Sequence, residues 1–167
     1  MNLFLGIDLG TSSVKVALVN GDDFSVVQSS SAEYPILGEQ PGFAEQAPHA
    51  WWKAIVQATQ NATSGVDPQA IRGIGVDGQM HGLVCVNRHG QPVRHAIIWA
   101  DARSLEEVKE LSALQPKLKT AVPGKPSTGF AAASVRWLSK NEPGTLAKPD
   151  RKSTRLNSSH DPISYAV

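Results

Sequence analysis

The chain has 167 residues, of which 41% are hydrophobic and 19% charged, and its formal net charge at pH 7 is +1. This length predicts about one domain, and the composition is typical of a globular protein with a sizeable core. A charge so near zero argues against a nucleic-acid or membrane surface as partner. No apolar run approaches the ~20 residues of a membrane span, and the N-terminus lacks the profile of a signal peptide. The only cysteine, Cys85, excludes an intramolecular disulfide framework and favours the cytosol.

The first predicted elements are two strands joined by a polar turn. Apolar residues alternate along Leu3–Ile7 and along Val14–Val19, which predicts a hairpin largely buried on both faces. The turn at residues 10–13, GTSS, is hydroxyl-rich and opens with glycine, so its N–H and O–H groups can converge on an anion. Asp8 beside this turn would hold a magnesium ion rather than the phosphate, because like charges repel. A plain buried hairpin with an ordinary Gly/Ser turn is the alternative.

A third strand is predicted over Phe24–Gln28, directly after the turn signal Asn20-Gly21. The following stretch, Ser29–Ala47, is rich in turn-forming residues and predicts a long surface loop. Glu45 and Gln46 in this loop either line a cleft or are simply solvated. We therefore expect three antiparallel strands at the N-terminus.

A helix is predicted from Pro48 to shortly before Gly65, because proline suits the first helical position and glycine often ends a helix. Its apolar residues at helical spacing are predicted to face the core, and they are Trp51, Trp52, Ile55, Val56, Thr59 and Ala62. Ile71–Val76 and Leu83–Val86 then predict two strands, of which the first is buried.

The loop between these two strands, DGQMHG at residues 77–82, is polar. In open α/β sheets ligands bind at the carboxyl ends of strands, where this loop begins. Gln79 and His81 offer directional hydrogen bonds to hydroxyl groups, although a loop histidine can equally be a surface or hairpin-capping group. No second His, Cys or acid lies at metal-ligand spacing, so the sequence argues against a zinc site.

Asp101 and Arg103 follow the next predicted strand, Ala96–Trp99, directly. They either hold a polar ligand at the same sheet edge or merely pair with each other, and their position favours the first interpretation.

Two helices are predicted in the last third of the chain. Leu105–Leu114 is preceded by Ser104, which forms a capping box with Glu107. A basic, proline-containing connection over Pro116–Ser127 leads to the second helix, Ala131–Lys140. The inward residues of this helix are predicted to be Ala131, Ser134, Val135 and Leu138, and its stop signal is Pro143-Gly144.

Four motifs together resemble the FGGY carbohydrate kinases, and within that family the xylulokinase branch. In chain order they are GIDLGTSSVK, GVDGQMHG, AIIWADAR and GFAAASVRWL, and the resemblance covers about residues 2–149. Gluconate-type kinases also use a Met-His pair, so a gluconate-type or other FGGY sugar kinase is the alternative. The resemblance implies an α/β protein with the actin/ribonuclease-H-like ATPase fold. In this fold three antiparallel strands are followed by parallel strands with flanking helices, here as an incomplete first domain.

The resemblance also implies roles for the residues of these motifs. The phosphates of ATP would be held by Thr11, Ser12, Ser13 and Lys15, and Mg²⁺ by Asp8. A ketose would contact Met80 and His81, with Gln79, Asp101, Arg103 and Phe130 as further neighbours. The resemblance further implies a cytoplasmic kinase that phosphorylates a small sugar, D-xylulose to D-xylulose 5-phosphate, and a possible homodimer of the full-length protein.

Part of the machinery is expected to lie outside this chain. FGGY kinases are longer, and their general-base aspartate, second phosphate loop and adenosine pocket come later than the residues present here. Asp77 and Asp101 occupy motif positions with other roles, so neither replaces the base. We therefore expect that the chain does not phosphorylate a sugar by itself. A non-catalytic nucleotide-binding module of actin fold and a partly folded fragment of no cellular role are the alternatives, and the GQMHG loop argues against the module.

The last segment, residues 151–167, differs abruptly from the rest. Its sequence RKSTRLNSSHDPISYAV has neither helix nor strand periodicity, and its first part resembles the translation of a sequencing adapter. We expect residues 1–150 to be a partial kinase N-terminal domain and this non-native-looking tail to be disordered. A genuine disordered tail is the alternative.

Overall fold

The computed structural model describes residues 2–114 and 125–147 and the backbone of 153–156 and 163–165. Most of the predicted connection Pro116–Ser127 therefore lies outside the described residues. The chain divides into two compact units. The first comprises Met1–Pro35, His49–Gln79 and Ser158–Val167, and the second comprises Ile36–Pro48 and Met80–Asn157.

The elements in chain order are β1 (Leu3–Leu9), β2 (Ser13–Asn20), β3 (Val26–Glu33), β4 (Glu45–Gln46), α1 (Pro48–Ala62), a 3₁₀ turn (Pro68–Ala70), β5 (Ile71–Gly78), β6 (Leu83–Val86), β7 (Ala96–Ile97), α2 (Leu105–Leu114), α3 (Ala131–Asn141), α4 (Pro143–Ala147), β8 (Ser153–Leu156) and β9 (Ile163–Tyr165). None of the helices within the described residues is long and apolar enough to cross a membrane.

The first unit contains a sheet with the strand order β3-β2-β1-β5-β9. β2 runs antiparallel to both β1 and β3, and β5 runs parallel to β1. Three antiparallel strands are thus followed by a parallel one, which confirms the predicted fold class. β3 extends from Val26 to Glu33, so the first residues of the predicted loop Ser29–Ala47 are strand instead.

The hairpin of β1 and β2 is buried on one face only, so the prediction of burial on both faces is wrong. The buried residues, Leu3, Leu5, Val14, Val16 and Leu18, share a core with α1. On the opposite face Phe4, Gly6 and Asp8 are exposed. Strand β5 is likewise half open, since Val76 is 45% exposed. Pleated strands turn alternate side chains to opposite faces, and α1 covers one of them.

Helix α1 has the predicted start and end, but its buried face agrees only in part with the predicted one, in which Ala62 and Ile55 were placed correctly. Ala54, Ala58 and Ala62 are buried, Trp51 packs partly against the core, and Trp52 is 68% exposed. Alanines four residues apart form a flat stripe, which lets the helix axis approach the sheet closely. A tryptophan within that stripe would hold the helix away, so Trp52 lies outside it and its predicted core position is wrong.

The second unit contains a sheet with the order β4-β7-β6-β8. Glu45 and Gln46, predicted as loop, form β4 and pair with Ile97 and Ala96 of β7. Leu138 and Ala131 of α3 pack in one core with residues of β6 and β7. The inward face predicted for α3 is confirmed and also includes Ala133. At the predicted stop, Pro143 begins the short helix α4, because proline is well tolerated at a helix start.

The predicted capping box before α2 is absent, although α2 has the predicted bounds. The Ser104 hydroxyl is buried without a hydrogen-bond partner. Glu107, only 4% exposed, accepts a hydrogen bond from Lys140 Nζ of α3 at 3.0 Å. A charged partner in a buried position attracts a carboxylate more strongly than a neutral N–H group does, so the glutamate points to α3.

Two short strands lie in the segment for which the sequence predicts disorder. β8 pairs with β6 and β9 pairs with β5, both antiparallel. Strand edges offer unpaired N–H and C=O groups that any extended segment can satisfy. Within residues 151–167 the structure describes only the backbone of these two strands. The disorder expected for the tail, the boundary near Asp150 and the adapter-like origin stay predictions.

Candidate functional site

The polar turn between β1 and β2 is held in place by Tyr34. Its backbone N–H donates to Ser12 O at 3.1 Å, and its phenol Oη donates to Gly10 O at 2.5 Å. Within the turn, Gly10 N donates to Ser13 O at 3.0 Å. The backbone of the predicted phosphate turn is thereby fixed from one side, and Ser12 is exposed on the other.

The phenol that supports this turn stays protonated far into the alkaline range. Burial raises the pKa of Tyr34 to about 12, and the negative charge of Asp8 adds to this shift. Tyr34 is 6% exposed. A neutral phenol is a hydrogen-bond donor, which is the role that its contact with the Gly10 carbonyl requires.

Three charged residues lie in one row across neighbouring strands beside the turn. Asp8 of β1 stands in register with Lys15 of β2 on one side and with Asp77 of β5 on the other. All three are exposed and line a groove of about 870 Å³. The adjacent row on the same face consists of the small residues Ala17, Gly6 and Gly75. Small side chains there leave room above the sheet next to the charges.

Asp77 was expected to have a role other than that of the general base, but no specific contact was predicted for it. Its carboxylate accepts a hydrogen bond from Gly78 N at 2.8 Å, and its strand lies parallel to β1. One residue beyond β5, Gln79 N donates to Leu9 O at 2.8 Å, which ties the ends of the two strands together. Asp77 comes to lie beside Asp8 through the parallel register of β1 and β5.

The second predicted cluster, in the other unit, is centred on His81. The backbone of His81 has φ +62°, in the left-handed region that costs a side-chain-bearing residue about 1–2 kcal/mol. Its imidazole stacks on the Phe130 ring with centroids 4.0 Å apart and planes inclined by 14°. Such ring pairs stabilise by about 0.5–1.5 kcal/mol, which is comparable to the backbone cost. His81 and Phe130, two of the residues expected near a sugar, therefore lie side by side, and their contact with a sugar stays a prediction.

Exposed apolar side chains accompany this stack. Met80 is 47%, Phe130 39% and Trp99 50% exposed. Gly129, at φ +71°, packs its Cα so closely against Trp99 that an added Cβ would lie 1.9 Å from Trp99 O. The backbone of Trp99 therefore packs directly against the backbone of Gly129, the residue before Phe130. Trp99 is not among the residues predicted for the site, because it stands at the end of a predicted strand. An aromatic residue two positions before Asp101 was the available signal.

Asp101 and Arg103 form a buried pair and do not extend towards a ligand. Arg103 Nε donates to both carboxylate oxygens of Asp101, at 3.0 and 2.9 Å. Arg103 NH1 also lies 2.6 Å from Glu45 Oε1, and its guanidinium lies 3.8 Å from the centre of the Phe43 ring. The side chains of Asp101 and Arg103 are 0% and 1% exposed. The interpretation that fits this geometry is the alternative in which the two residues pair with each other.

Comparisons with known proteins agree with these motifs. Residues 3–157 match the N-terminal domain of the FGGY family of carbohydrate kinases. The chain is 31% identical over 149 residues to the xylulose kinase of Escherichia coli (strain K12), covering 89% of this chain and 31% of that protein. It is 33% identical over 151 residues to the xylulose kinase of Bacillus subtilis (strain 168), covering 89% of this chain and 30% of that protein.

A solved structure agrees as well. The crystal structure of a xyloylose kinase from Brucella ovis superposes with a TM-score of 0.82 at 32% identity, covering 92% of this chain and 32% of that one. The chain thus spans about a third of the length of the relatives it matches. Because the family match extends over nearly all of its residues, the chain belongs to the FGGY family of carbohydrate kinases.

Proposed function

We propose that the chain is the N-terminal part of an ATP-dependent kinase that transfers a phosphoryl group to a hydroxyl of D-xylulose and forms D-xylulose 5-phosphate. Family membership supports the reaction class, and the named xylulose kinases among the relatives support the sugar. The observation that carries the proposal is the His81–Phe130 stack with exposed Met80 beside His81 in the chain. A nucleotide-binding module without sugar chemistry has no use for such a cluster.

The turn held by Tyr34 is the proposed phosphate-binding element. Thr11, Ser12 and Ser13 supply backbone N–H and hydroxyl donors, and Lys15 supplies a positive charge on the neighbouring strand. Phosphoryl transfer depends mostly on positioning and on neutralising the charge of the phosphates. A turn whose backbone is already fixed needs little reorganisation when an anion binds.

Asp8 is the proposed residue for Mg²⁺, and Asp77 beside it is a suitable second oxygen donor. No group of three or more His, Cys, Asp or Glu side chains in the described parts of the chain is arranged around a metal position. Mg²⁺ prefers such sparse sites, since it retains several waters and shares the phosphates of its nucleotide. The exposed carboxylates of Asp8 and Asp77 fit this ion. When bound, Mg²⁺ neutralises phosphate charge.

The sugar is proposed to contact Met80 and His81, with Gln79 and Phe130 as further neighbours. A cyclic or open-chain sugar presents apolar C–H groups and directional hydroxyls, which suit an aromatic surface and an imidazole respectively. Trp99 joins this set because it is half exposed and its backbone contacts Gly129. We propose that Asp101 and Arg103 support the surrounding backbone, since neither side chain reaches solvent.

We further propose that the chain does not phosphorylate sugar by itself, because its described residues supply phosphate, metal and sugar contacts but no general base. An assay of ADP release by the 167-residue chain with ATP, Mg²⁺ and D-xylulose tests this, and no release is expected. ADP release that depends on D-xylulose would contradict it.

The substrate is tested in a longer protein in which the chain is continued as in its relatives. We expect ADP release that depends on D-xylulose, and strong turnover of gluconate without D-xylulose turnover would refute the assignment. His81→Ala should raise the KM for the sugar or lower kcat by about tenfold, as expected for a lost hydrogen bond of ~1–3 kcal/mol. His89→Ala is the control, because His89 is exposed in the turn after β6. Unchanged sugar kinetics in His81→Ala would contradict the proposed sugar contact of His81, and no sugar-dependent ADP release with any sugar would favour a nucleotide-binding module.

A further inference from the structure

We propose that Phe130 is a positioning residue whose ring sets the orientation of the His81 imidazole, and with it the direction in which that imidazole hydrogen-bonds to a sugar hydroxyl. The identity of the ligand rests on the proposed function, whereas the ring contact does not. The rings are nearly parallel, inclined by 14°, with their centroids 4.0 Å apart.

The backbone of His81 needs such support. His81 has φ +62°. Among the non-glycine residues that the structure describes, Phe24 is the one other residue with a positive φ. Phe24 is 81% exposed and lies in the connection before β3. His81 lies between exposed Met80 and β6, and a bulky residue in the left-handed region is unfavourable by itself. The contact with Phe130 is the interaction that offsets this cost.

Phe130 is the better anchored of the two residues. It precedes α3 in an extended conformation, and its carbonyl accepts a hydrogen bond from Ser134 N at 3.1 Å. The preceding Gly129 is buried against the backbone of Trp99, and α3 is held by buried Leu138. A ring on a packed helix start is more rigid than a ring on a loop. The constraint therefore acts from Phe130 on His81.

This constraint has a consequence for specificity. The two imidazole nitrogens form their hydrogen bonds in the ring plane, and the stacked Phe130 ring fixes the orientation of that plane. A hydroxyl must then approach in that plane, and sugars that differ in the configuration of one hydroxyl bind differently. Without the phenyl ring the imidazole rotates freely and loses this selection.

The contact is tested by NMR on the 167-residue chain. In the wild type we expect the His81 ring protons to be shifted upfield relative to those of the other four histidines, and a strong intraresidue NOE between the His81 amide and α protons, as positive φ requires. Phe130→Leu should abolish the upfield shift and weaken the NOE, and Phe130→Tyr should restore both. Phe24→Leu, which removes an exposed ring elsewhere, is the matched control and should change neither. Phe130→Met replaces the leucine variant if that variant does not fold.

A titration with D-xylulose, followed on the same His81 signals, tests the sugar. We expect Phe130→Leu to raise the Kd for D-xylulose about tenfold, as for one lost oriented hydrogen bond, and Phe130→Tyr to restore the wild-type Kd. Unchanged His81 signals in Phe130→Leu, or an unchanged sugar affinity in that variant, would overturn the positioning role. If the wild type shows the ring contact but no response to D-xylulose, the proposed function fails for this chain and the positioning of His81 by Phe130 stands.

Discussion

Arg103 donates its Nε to both carboxylate oxygens of Asp101 while neither side chain is more than 1% exposed. Asp101 also accepts a hydrogen bond from Ala44 N at 2.7 Å, which ties the segment before β4 to the segment after β7. The arginine in turn is stacked on Phe43. A buried pair of this kind is costly to break, because the remaining charge keeps its desolvation penalty without its partner.

Asp101→Asn should therefore lower the free energy of unfolding by about 3 kcal/mol, since it removes one of the two carboxylates that compensate the buried Arg103 charge and leaves only Glu45. Urea unfolding followed by tryptophan fluorescence measures this loss. Lys109→Ala is the control, because Lys109 pairs with Glu106 at the surface, where the two side chains are 72% and 74% exposed. The control should change stability by less than about 0.5 kcal/mol. An equal loss of unfolding free energy in both variants would show that the buried pair stabilises the fold no more than the exposed pair does.

Gly129→Ala is expected to destabilise the chain by more than about 3 kcal/mol, because the new Cβ would meet the backbone of Trp99 at 1.9 Å. Gly90→Ala separates this clash from the conformational cost. Gly90 has φ +75°, similar to the +71° of Gly129, but nothing lies within 4 Å of the position that its Cβ would take. Gly90→Ala should therefore lower the free energy of unfolding by only about 1–2 kcal/mol, which is the strain of alanine in the left-handed region. Equal losses in urea unfolding would contradict the close packing of Gly129 on Trp99.

The raised pKa of Tyr34 predicts that the free energy of unfolding depends on pH in the alkaline range. Its pKa is raised to about 12 in the folded chain from an ordinary value of 10.0, so the folded state holds this proton more tightly than the unfolded state. The resulting stabilisation is fully present below pH 10 and is lost as the pH rises through about 12. Two pKa units correspond to at most about 2–3 kcal/mol, and solvent near the phenol screens part of this.

Tyr34→Phe tests this dependence. The variant should lack the loss of stability between pH 10 and about 12 that the wild type shows. At neutral pH it should be less stable by about 1 kcal/mol, because the bond to Gly10 O is gone. Urea unfolding at several pH values provides the comparison, and the difference in ultraviolet absorption between wild type and variant gives the titration of Tyr34 itself. A difference spectrum that titrates near the ordinary value of 10.0 would refute the raised pKa.

What the sequence predicted correctly depends on local patterns. The hairpin, the bounds of α2 and the start of α1 at Pro48 follow from alternation, helical spacing and proline chemistry within a few residues. The motif order also predicted the family. The errors concern which face of an element is covered: Trp52 is exposed and Ala54 buried because of how closely α1 approaches the sheet. Such packing depends on residues that are distant in the chain, and the hydrophobic periodicity of one helix carries no information about them.

The same limit applies to the candidate site. Asp77 became a neighbour of Asp8 through the parallel register of β1 and β5, and no local pattern specifies that register. Asp101 and Arg103 appeared as candidate ligands because they are polar and follow a strand. Their burial depends on Glu45 and Phe43, which lie far earlier in the chain.

Ser104→Ala is a direct test of one of these errors. If Ser104 capped α2 through its side chain, alanine would cost about 0.5–2 kcal/mol of stability. In the structure its hydroxyl is buried without a hydrogen-bond partner, and Glu107 pairs with Lys140. Removing an unsatisfied buried hydroxyl relieves a desolvation cost, so the free energy of unfolding should stay unchanged or rise. Glu107→Gln, in contrast, should lower it, because Lys140 then loses a buried charged partner. A loss in Ser104→Ala as large as that in Glu107→Gln would restore the capping box.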